Sequence, residues 1–268
     1  MYVARSNRSL ALLYLARGAD ENHVDRLRGF VESYRGKPAG IEHTLFVIFK
    51  GFAGDAQLSA ARQIFDGIEY HPLYVGDDAF DMGAYAAAAS QISSEWVCCL
   101  NTNSSVAGDG WLGKLAANLD QPRVGIVGAT GSFESLSPLD PRFPEFPNVH
   151  VRSNAFMMGR ALLLSILSEF RFDDKLATYL AESGPGSITR RVFQLGLSAL
   201  VVGRNGRGYS LPWWPSSQTF RQGNQGNLLV HDNATRAFER MPRSEKRECS
   251  RRTWGSYYFG ESAVLLPA

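Results

Sequence analysis

Apolar runs and helical stretches alternate along the first two-thirds of the chain. Leu10-Ala-Leu-Leu-Tyr-Leu-Ala16 is apolar without a break, the pattern of a strand covered on both faces. Val24, Leu27, Phe30, Val31 and Tyr34 then recur at helical spacing. Asp20 is placed to cap that helix, and Gly36, Pro38 and Gly40 to end it. Residues 44–49 predict a second strand, 55–65 a short helix, 68–75 a third strand and 82–92 an Ala-rich helix. A fourth strand over 96–100 stops at the polar run Asn101-Thr-Asn-Ser-Ser105. A helix over 111–119 and a fifth strand over 124–128 follow.

Residues 132–148 hold four prolines and predict a surface loop. Beyond it the pattern gives a strand over 149–158, a helix over 162–170, a helix over 188–195 capped by Ser187 and ended by Gly196, and a short strand over 199–202. Repeated β-α-β units predict an α/β fold with a mostly parallel sheet and helices on both faces. Ligands of such sheets bind beyond the carboxyl ends of the strands. The loops 17–20, 50–55, 76–83 and 101–110 are therefore where chemistry is expected.

Composition narrows the partners only a little. A chain of 268 residues with 44% hydrophobic and 20% charged residues can bury one large core. A net charge of +2 argues against a dedicated DNA-coating protein. Cys98, Cys99 and Cys249 have neither disulfide-framework nor zinc spacing. Cys98 and Cys99 are expected on opposite faces of one strand, in a reducing compartment. The polar start predicts no secretory signal, and no run is long enough to span a membrane. A cytoplasmic location follows as the expectation, with association at a membrane or polyanion surface as a further option.

Three segments resemble inverting glycosyltransferases of the GT-A class, in particular the family 2-like and rhamnan-synthesis-like enzymes. The first is Asp78-Ala-Phe-Asp81-Met-Gly83-Ala-Tyr85, similar to an Asp-x-Gly-x-Tyr/Phe element that opens a helix. The second is the strand 96–100 followed by Asn101-Thr-Asn103 and Trp111-Leu112, where the class places strand, Asp-x-Asp and a Trp-Leu helix. The third is Tyr179-Leu-Ala-Glu182-Ser-Gly184, then Ser187-Ile-Thr-Arg190 and Gly196, which resembles the acidic residue, helix and glycine that carry the catalytic base. The resemblance runs over about residues 10–205 and rests on the order and spacing of the segments.

It implies a single GT-A-like domain over 1–268. About 1–130 would bind a nucleotide-sugar donor (a UDP-, GDP- or dTDP-sugar). About 149–268 would bind a hydroxyl acceptor: a glycan, a lipid-linked sugar, a protein or a modified nucleic acid. The class holds Mn²⁺ or Mg²⁺ on its Asp-x-Asp carboxylates. Here Asn101 and Asn103 stand in their place, and an amide oxygen brings no charge to a hard cation. The metal is therefore expected to be weakened or dispensable, with helix N-termini or basic side chains meeting the diphosphate instead.

Each candidate has a plainer reading beside it. Glu182 is the first choice for general base, against a solvated loop glutamate; Asp173 and Asp174 come next. Asp81 is the first choice for the nucleoside, against a helix cap. Asp78, Asp55 and Arg17 are further candidates for the nucleotide sugar, with Asp77 a weaker version of Asp78 and Asp55 also readable as a cap. Asn101 and Asn103 belong near the diphosphate, or form an Asn-rich turn. His231 is a candidate metal or diphosphate contact, or a packed histidine. Trp213-Trp214 could stack on a sugar or cover the core edge, and Arg204 and Arg207 could clasp a phosphate. The basic run from Arg240 to Arg252 reads as a solvated helix with internal ion pairs, or as a polyanion contact.

Three rival functions stand beside this one. An inactive, sugar-nucleotide-binding relative is supported by the missing carboxylates. A DNA-modifying sugar transferase is favoured only by the basic C-terminal run. A nucleotidyltransferase would need a richer glycine loop than Arg17-Gly18-Ala19-Asp20.

Overall fold

The first apolar run forms β1 (Leu10–Arg17), buried on both faces as far as Ala16 in the computed structural model, which describes residues 8–257 apart from the Ala79 side chain. The alternation continues as α1 (His23–Gly36), β2 (Thr44–Lys50), α2 (Asp55–Gln63), β3 (His71–Tyr74), α3 (Phe80–Ser90) and β4 (Trp96–Leu100). Next come β5 (Ser105–Val106), α4 (Trp111–Leu119), β6 (Val124–Gly128) and β7 (Gly131–Ser132). After the Pro-rich loop lie β8 (His150–Val151), β9 (Ala155–Gly159), α5 (Arg160–Leu167), α6 (Lys175–Ser183), α7 (Ile188–Gln194), β10 (Ser198–Val202) and β11 (Gly208–Tyr209). The described chain ends through β12 (Val230–His231), α8 (Asn233–Arg240) and α9 (Arg243–Trp254).

The main sheet has the order β11-β10-β6-β9-β4-β1-β2-β3. All five strands expected to share a sheet are in it. β1, β2, β3 and β4 run parallel, as do β6 and β10. β9 is antiparallel between β4 and β6, and β11 is antiparallel at the edge. The alternation of side chains along β1 feeds two cores. Leu12 and Tyr14 pack with Phe30, Phe65 and Trp111 beneath α1, α2 and α4. Leu13 and Leu15 pack with Met82, Tyr85, Leu163 and Val192 beneath α3, α5 and α7. Cys98 and Cys99 enter opposite cores, and all three cysteines are buried and free.

Several local expectations are corrected. The strand foreseen over 149–158 is two strands, β8 pairing with β7 and β9 entering the main sheet, because the chain changes partners at a turn over 152–154. Asp20 does not cap α1. The helix starts at His23 behind Asn22, and the Asp20 carboxylate is taken by Arg17 at 2.9 Å. Ser187 sits at the N-cap of α7, but its buried hydroxyl has no partner. Trp213 and Trp214 separate: Trp214 is buried and donates from its indole to the Tyr209 carbonyl, while Trp213 is exposed. In α9, Arg252 reaches outside the helix to Glu134, and among the described residues Glu245 and Glu248 form no ion pair.

The start of α4 is closed by backbone. No side chain caps it; the Pro38 carbonyl accepts from Gly110 N at 2.7 Å, and the Ala39 carbonyl from Leu112 N and Gly113 N at 3.1 and 2.9 Å. These bonds satisfy amides that a helix otherwise leaves orphaned. The approach demands glycine: Gly40 has φ 79°, and a Cβ there would lie 2.6 Å from Gly110 Cα. Gly40→Ala is therefore expected to destabilise the protein by about 2 kcal/mol or more, through left-handed strain and backbone collision. Denaturant unfolding checks this; an unchanged midpoint would show that the 37–41 loop is dispensable.

Candidate functional site

Because β9 is reversed, its start lies beside the carboxyl end of β4, with Ala155 opposite Leu100. The turn 152–154 thereby joins the loops that follow β1, β2, β3 and β4 on one edge of the sheet. Two clusters form there.

The first cluster is ionic. Arg17, closing β1, donates from Nε and Nη2 to the two oxygens of Asp77, each at 3.0 Å, and from Nη1 to Asp20. Lys50, closing β2, is buried; its Nζ lies 2.9 Å from the Phe80 carbonyl oxygen and 3.5 Å from Asp77 Oδ1. Burial pushes the Lys50 amine below its usual range, although Asp77 and Asp81 pull it up. The Arg17 hydrogen bonds hold the Asp77 carboxyl below the usual carboxylate range. Asp77, the weaker sequence candidate, is thus the residue that takes both cations. Lys50 was missed; its only signal was a lone lysine at the end of an apolar strand. Asp78 is exposed. Asp55 is the exposed first residue of α2 behind Gly54, so it is not the cap, and the structure does not bring it into this network.

Asp81 is the second residue of α3, inside the helix and not its cap. Its carboxyl is half-buried and has no hydrogen-bond partner among the described residues. Desolvation raises its pKa against the pull of Lys50 and Arg17, and Glu182 adds to the rise. Glu182 lies in the last turn of α6, where a loop position was expected, because the helix runs on to Ser183 before the Gly-Pro-Gly turn. It is half-buried, and its Oε1 accepts from the Ser153 amide at 2.8 Å, so it is not a freely solvated side chain. Its Oε2 has no hydrogen-bond partner among the described residues. Asp174 is the N-cap of α6, accepting from Ala177 N at 2.8 Å, and Asp173 faces Arg171 at 3.5 Å.

The second cluster surrounds the turn after β4. Asn101 Oδ1 accepts from Asn103 N and Ser104 Oγ, each at 3.1 Å. The Asn154 carbonyl accepts from Asn101 N and Ser104 Oγ. Asn103 Oδ1 is buried without a partner, while the Asn103 carbonyl accepts from Arg236 Nη1 at 2.8 Å. Asn154 was not foreseen. It is 1% exposed; its Oδ1 accepts from Thr130 at 2.6 Å, and its Nδ2 donor is unpaired. Unpaired buried polar atoms are rare in folded proteins, and a ligand is one way to satisfy them.

His231 ends β12, which pairs with β5. Its Nδ1 lies 3.4 Å from Glu239 Oε1 without forming a hydrogen bond, and burial lowers its pKa, leaving the ring neutral at pH 7. Asp232 caps α8 through Thr235 N at 2.8 Å and pairs with Arg152 Nη2 at 2.8 Å. Arg152 in turn lies over the Phe220 ring, 4.0 Å from its centroid.

These donors do not fit a divalent cation. Asn101 spends its oxygen on its own turn, Asp232 is neutralised by Arg152, and the nearest carboxylate to His231, that of Glu239, is 3.4 Å from its Nδ1. Among the described residues, no three His, Cys, Asp or Glu side chains converge as a metal site. Nor is any described helix long and apolar enough to cross a membrane.

No protein-family model matches the sequence, and no curated protein matches it. Solved structures do match in fold. A mannosyltransferase from Pyrobaculum calidifontis in complex with GDP-Man and Mn²⁺ aligns at TM-score 0.50 and 14% identity, covering 72% of this chain and 54% of that one. This chain thus spans about half of that protein. A 4-diphosphocytidyl-2C-methyl-D-erythritol synthase from Anaerococcus prevotii aligns at 0.49 and 11% identity, covering 74% and 89%. Glucosyl-3-phosphoglycerate synthase from Mycobacterium tuberculosis, with Mn²⁺, UDP and phosphoglyceric acid, aligns at 0.40 and 12% identity, covering 58% and 57%. At these identities the likeness is one of fold: a GT-A-like, mostly parallel sheet flanked by helices.

Proposed function

We propose that the protein is a glycosyltransferase that moves a sugar from a nucleotide-sugar donor to a hydroxyl acceptor with inversion. The observation that carries this is Glu182: a carboxylate pinned through one oxygen to Ser153 N, with the other free, at the carboxyl edge of the sheet. In the proposed step the acceptor hydroxyl gives its proton to Glu182 Oε2 as its oxygen bonds to the anomeric carbon. The bond from that carbon to the diphosphate breaks, and the electron pair leaves on the diphosphate oxygen. Asp81, with no hydrogen-bond partner and beside the Arg17–Asp77–Lys50 network, is assigned to the nucleoside. Asn103 Oδ1, buried without a donor, is assigned to a donor hydroxyl.

The loop after β1 favours this reading over a nucleotidyltransferase, since it stays short and Arg17 is tied to Asp77 and Asp20. A binding-only relative is the second reading, favoured by the Asn101 oxygen being spent within its own turn.

A thermal-shift screen of UDP-, GDP- and dTDP-sugars tests the donor. A ligand at about 100 times its Kd adds about 2.7 kcal/mol, or roughly 5–10 °C in Tm for a chain of this size. Absence of any shift across all three nucleotides would sink the reading. Donor turnover then separates a transferase from a binding-only relative.

A further inference from the structure

We infer that the donor diphosphate is held by guanidinium groups, Arg236 together with Arg26, beside the turn at Asn101 and Asn103, in place of a divalent cation. This rests on the nucleotide-sugar reading above and deepens it.

Most cations at the edge are already spent. Arg17 is neutralised by Asp77 and Asp20, Lys50 faces Asp77, and Arg152 is paired with Asp232. Arg236 is different. It projects from α8 into the turn after β4, where Nη1 meets the Asn103 carbonyl at 2.8 Å and Nη2 meets Ser105 Oγ at 2.6 Å. Both acceptors are neutral, so they fix the guanidinium without cancelling its charge. Arg26, on α1, lies within Coulombic range of Arg236 and of Tyr14, whose hydroxyl donates to the Thr102 carbonyl of the same turn. Arg26 Nε is buried with no acceptor. Arg204 also repels a protonated His231, and gives its Nε to the neutral Leu228 carbonyl at 3.2 Å.

Two carboxylates also act on Arg236: Asp232 and Glu239. Asp232 is committed to Arg152, and Glu239 is exposed, accepting from Gln225 Nε2 at 3.3 Å. The Arg236 guanidinium at Asn103 and the nearby Arg26 thus have no carboxylate hydrogen-bonded to them among the described residues. Two half-buried arginines that repel one another, one with a buried Nε that has no acceptor among the described residues, are costly without an anion. A diphosphate supplies that anion. The planar guanidinium matches two phosphate oxygens at once and keeps its charge at every working pH. It can also meet the negative charge that builds on the leaving group as the sugar departs.

The test is calorimetric titration of inorganic pyrophosphate into the full chain, once with EDTA and once with Mn²⁺. Equal affinity in the two is expected. Arg26→Gln, and Arg236→Lys, which keeps the charge but loses the fork, should each weaken binding by roughly 10-fold or more. Arg243→Gln, at the exposed first residue of α9, should bind as the parent does. Binding that appears only with Mn²⁺, no pyrophosphate binding in either condition, or parental affinity in both Arg26→Gln and Arg236→Lys would overturn the inference. Nucleotide sugars that bind only with Mn²⁺ would remove the inference and leave the donor reading standing. Pyrophosphate that binds in EDTA while no nucleotide sugar shifts the melting curve would remove the donor reading and leave the anion site.

Discussion

Glu182→Gln is expected to keep donor binding and lower kcat by roughly 10²–10⁴-fold, the usual contribution of a positioned general base. The amide is nearly isosteric, and its oxygen can still accept from Ser153 N, so the 152–154 turn keeps its tie to α6. It cannot take a proton at neutral pH, so the attacking hydroxyl loses its assistance. The donor Kd and the melting curve should match the parent, which separates lost chemistry from lost structure. Turnover of the donor selected by thermal shift is the measurement. A parental rate would remove Glu182 from the chemistry and leave Asp81, a half-buried carboxylate at the same edge whose pKa is raised by desolvation, as the next candidate for the base.

Asp232→Asn is expected to cost about 3–5 kcal/mol, or roughly 6–20 °C in Tm, because it strands a largely buried guanidinium. Asparagine is as good a helix cap as aspartate, so the bond from Thr235 N should persist and the loss isolates the pair with Arg152. The pH dependence follows from the same pair. Burial alone would raise the Asp232 pKa, but Arg152 and the Thr235 hydrogen bonds outweigh it and hold the carboxyl below its usual range. Its stabilisation is therefore complete above the unfolded value of about 3.9 and is lost as pH falls through the still lower folded value. The Tm gap between parent and variant should narrow as pH is lowered from about 6 to about 3. A gap constant over that range would show that the pair does not carry the effect.

The sheet was legible because its strands are unbroken apolar runs and its helices keep a 3.6-residue period. Residues 10–16 and 96–100 need no tertiary information to be read as covered strands. The division of 149–158 was hidden, since Val149, Val151 and the apolar residues from Ala155 to Met158 continue one pattern across the turn. Direction within a sheet leaves no trace in hydrophobicity either, so the reversal of β9 could not be foreseen. At the candidate site, Glu182, Asp81 and Asn101–Asn103 were singled out through local order and spacing. The pairs that organise them join residues far apart: Arg17 with Asp77, Arg152 with Asp232, Arg236 with Asn103. A single sequence carries no signal for such pairings. Glu182 was placed in a loop because the glycines after it dominate the local pattern, whereas α6 extends through Ser183.

The position of β9 also sets an order of assembly. β6 pairs only with β9 and β10 in the main sheet, and both are synthesised after it. A nascent chain that has emerged as far as Gly128 can join β1, β2, β3 and β4, but must hold β6 apart from β4 by the width of one missing strand. Completion waits for residues 155–159 to insert into that slot and for β10 to dock on the far side. Contacts this distant in sequence make for slow closure, and until then the open flank of β4 is an unprotected strand edge of the kind that invites aggregation. A fragment that stops short of β9 is therefore expected to be aggregation-prone, although it contains every strand that the β-α-β pattern of the first 128 residues announces.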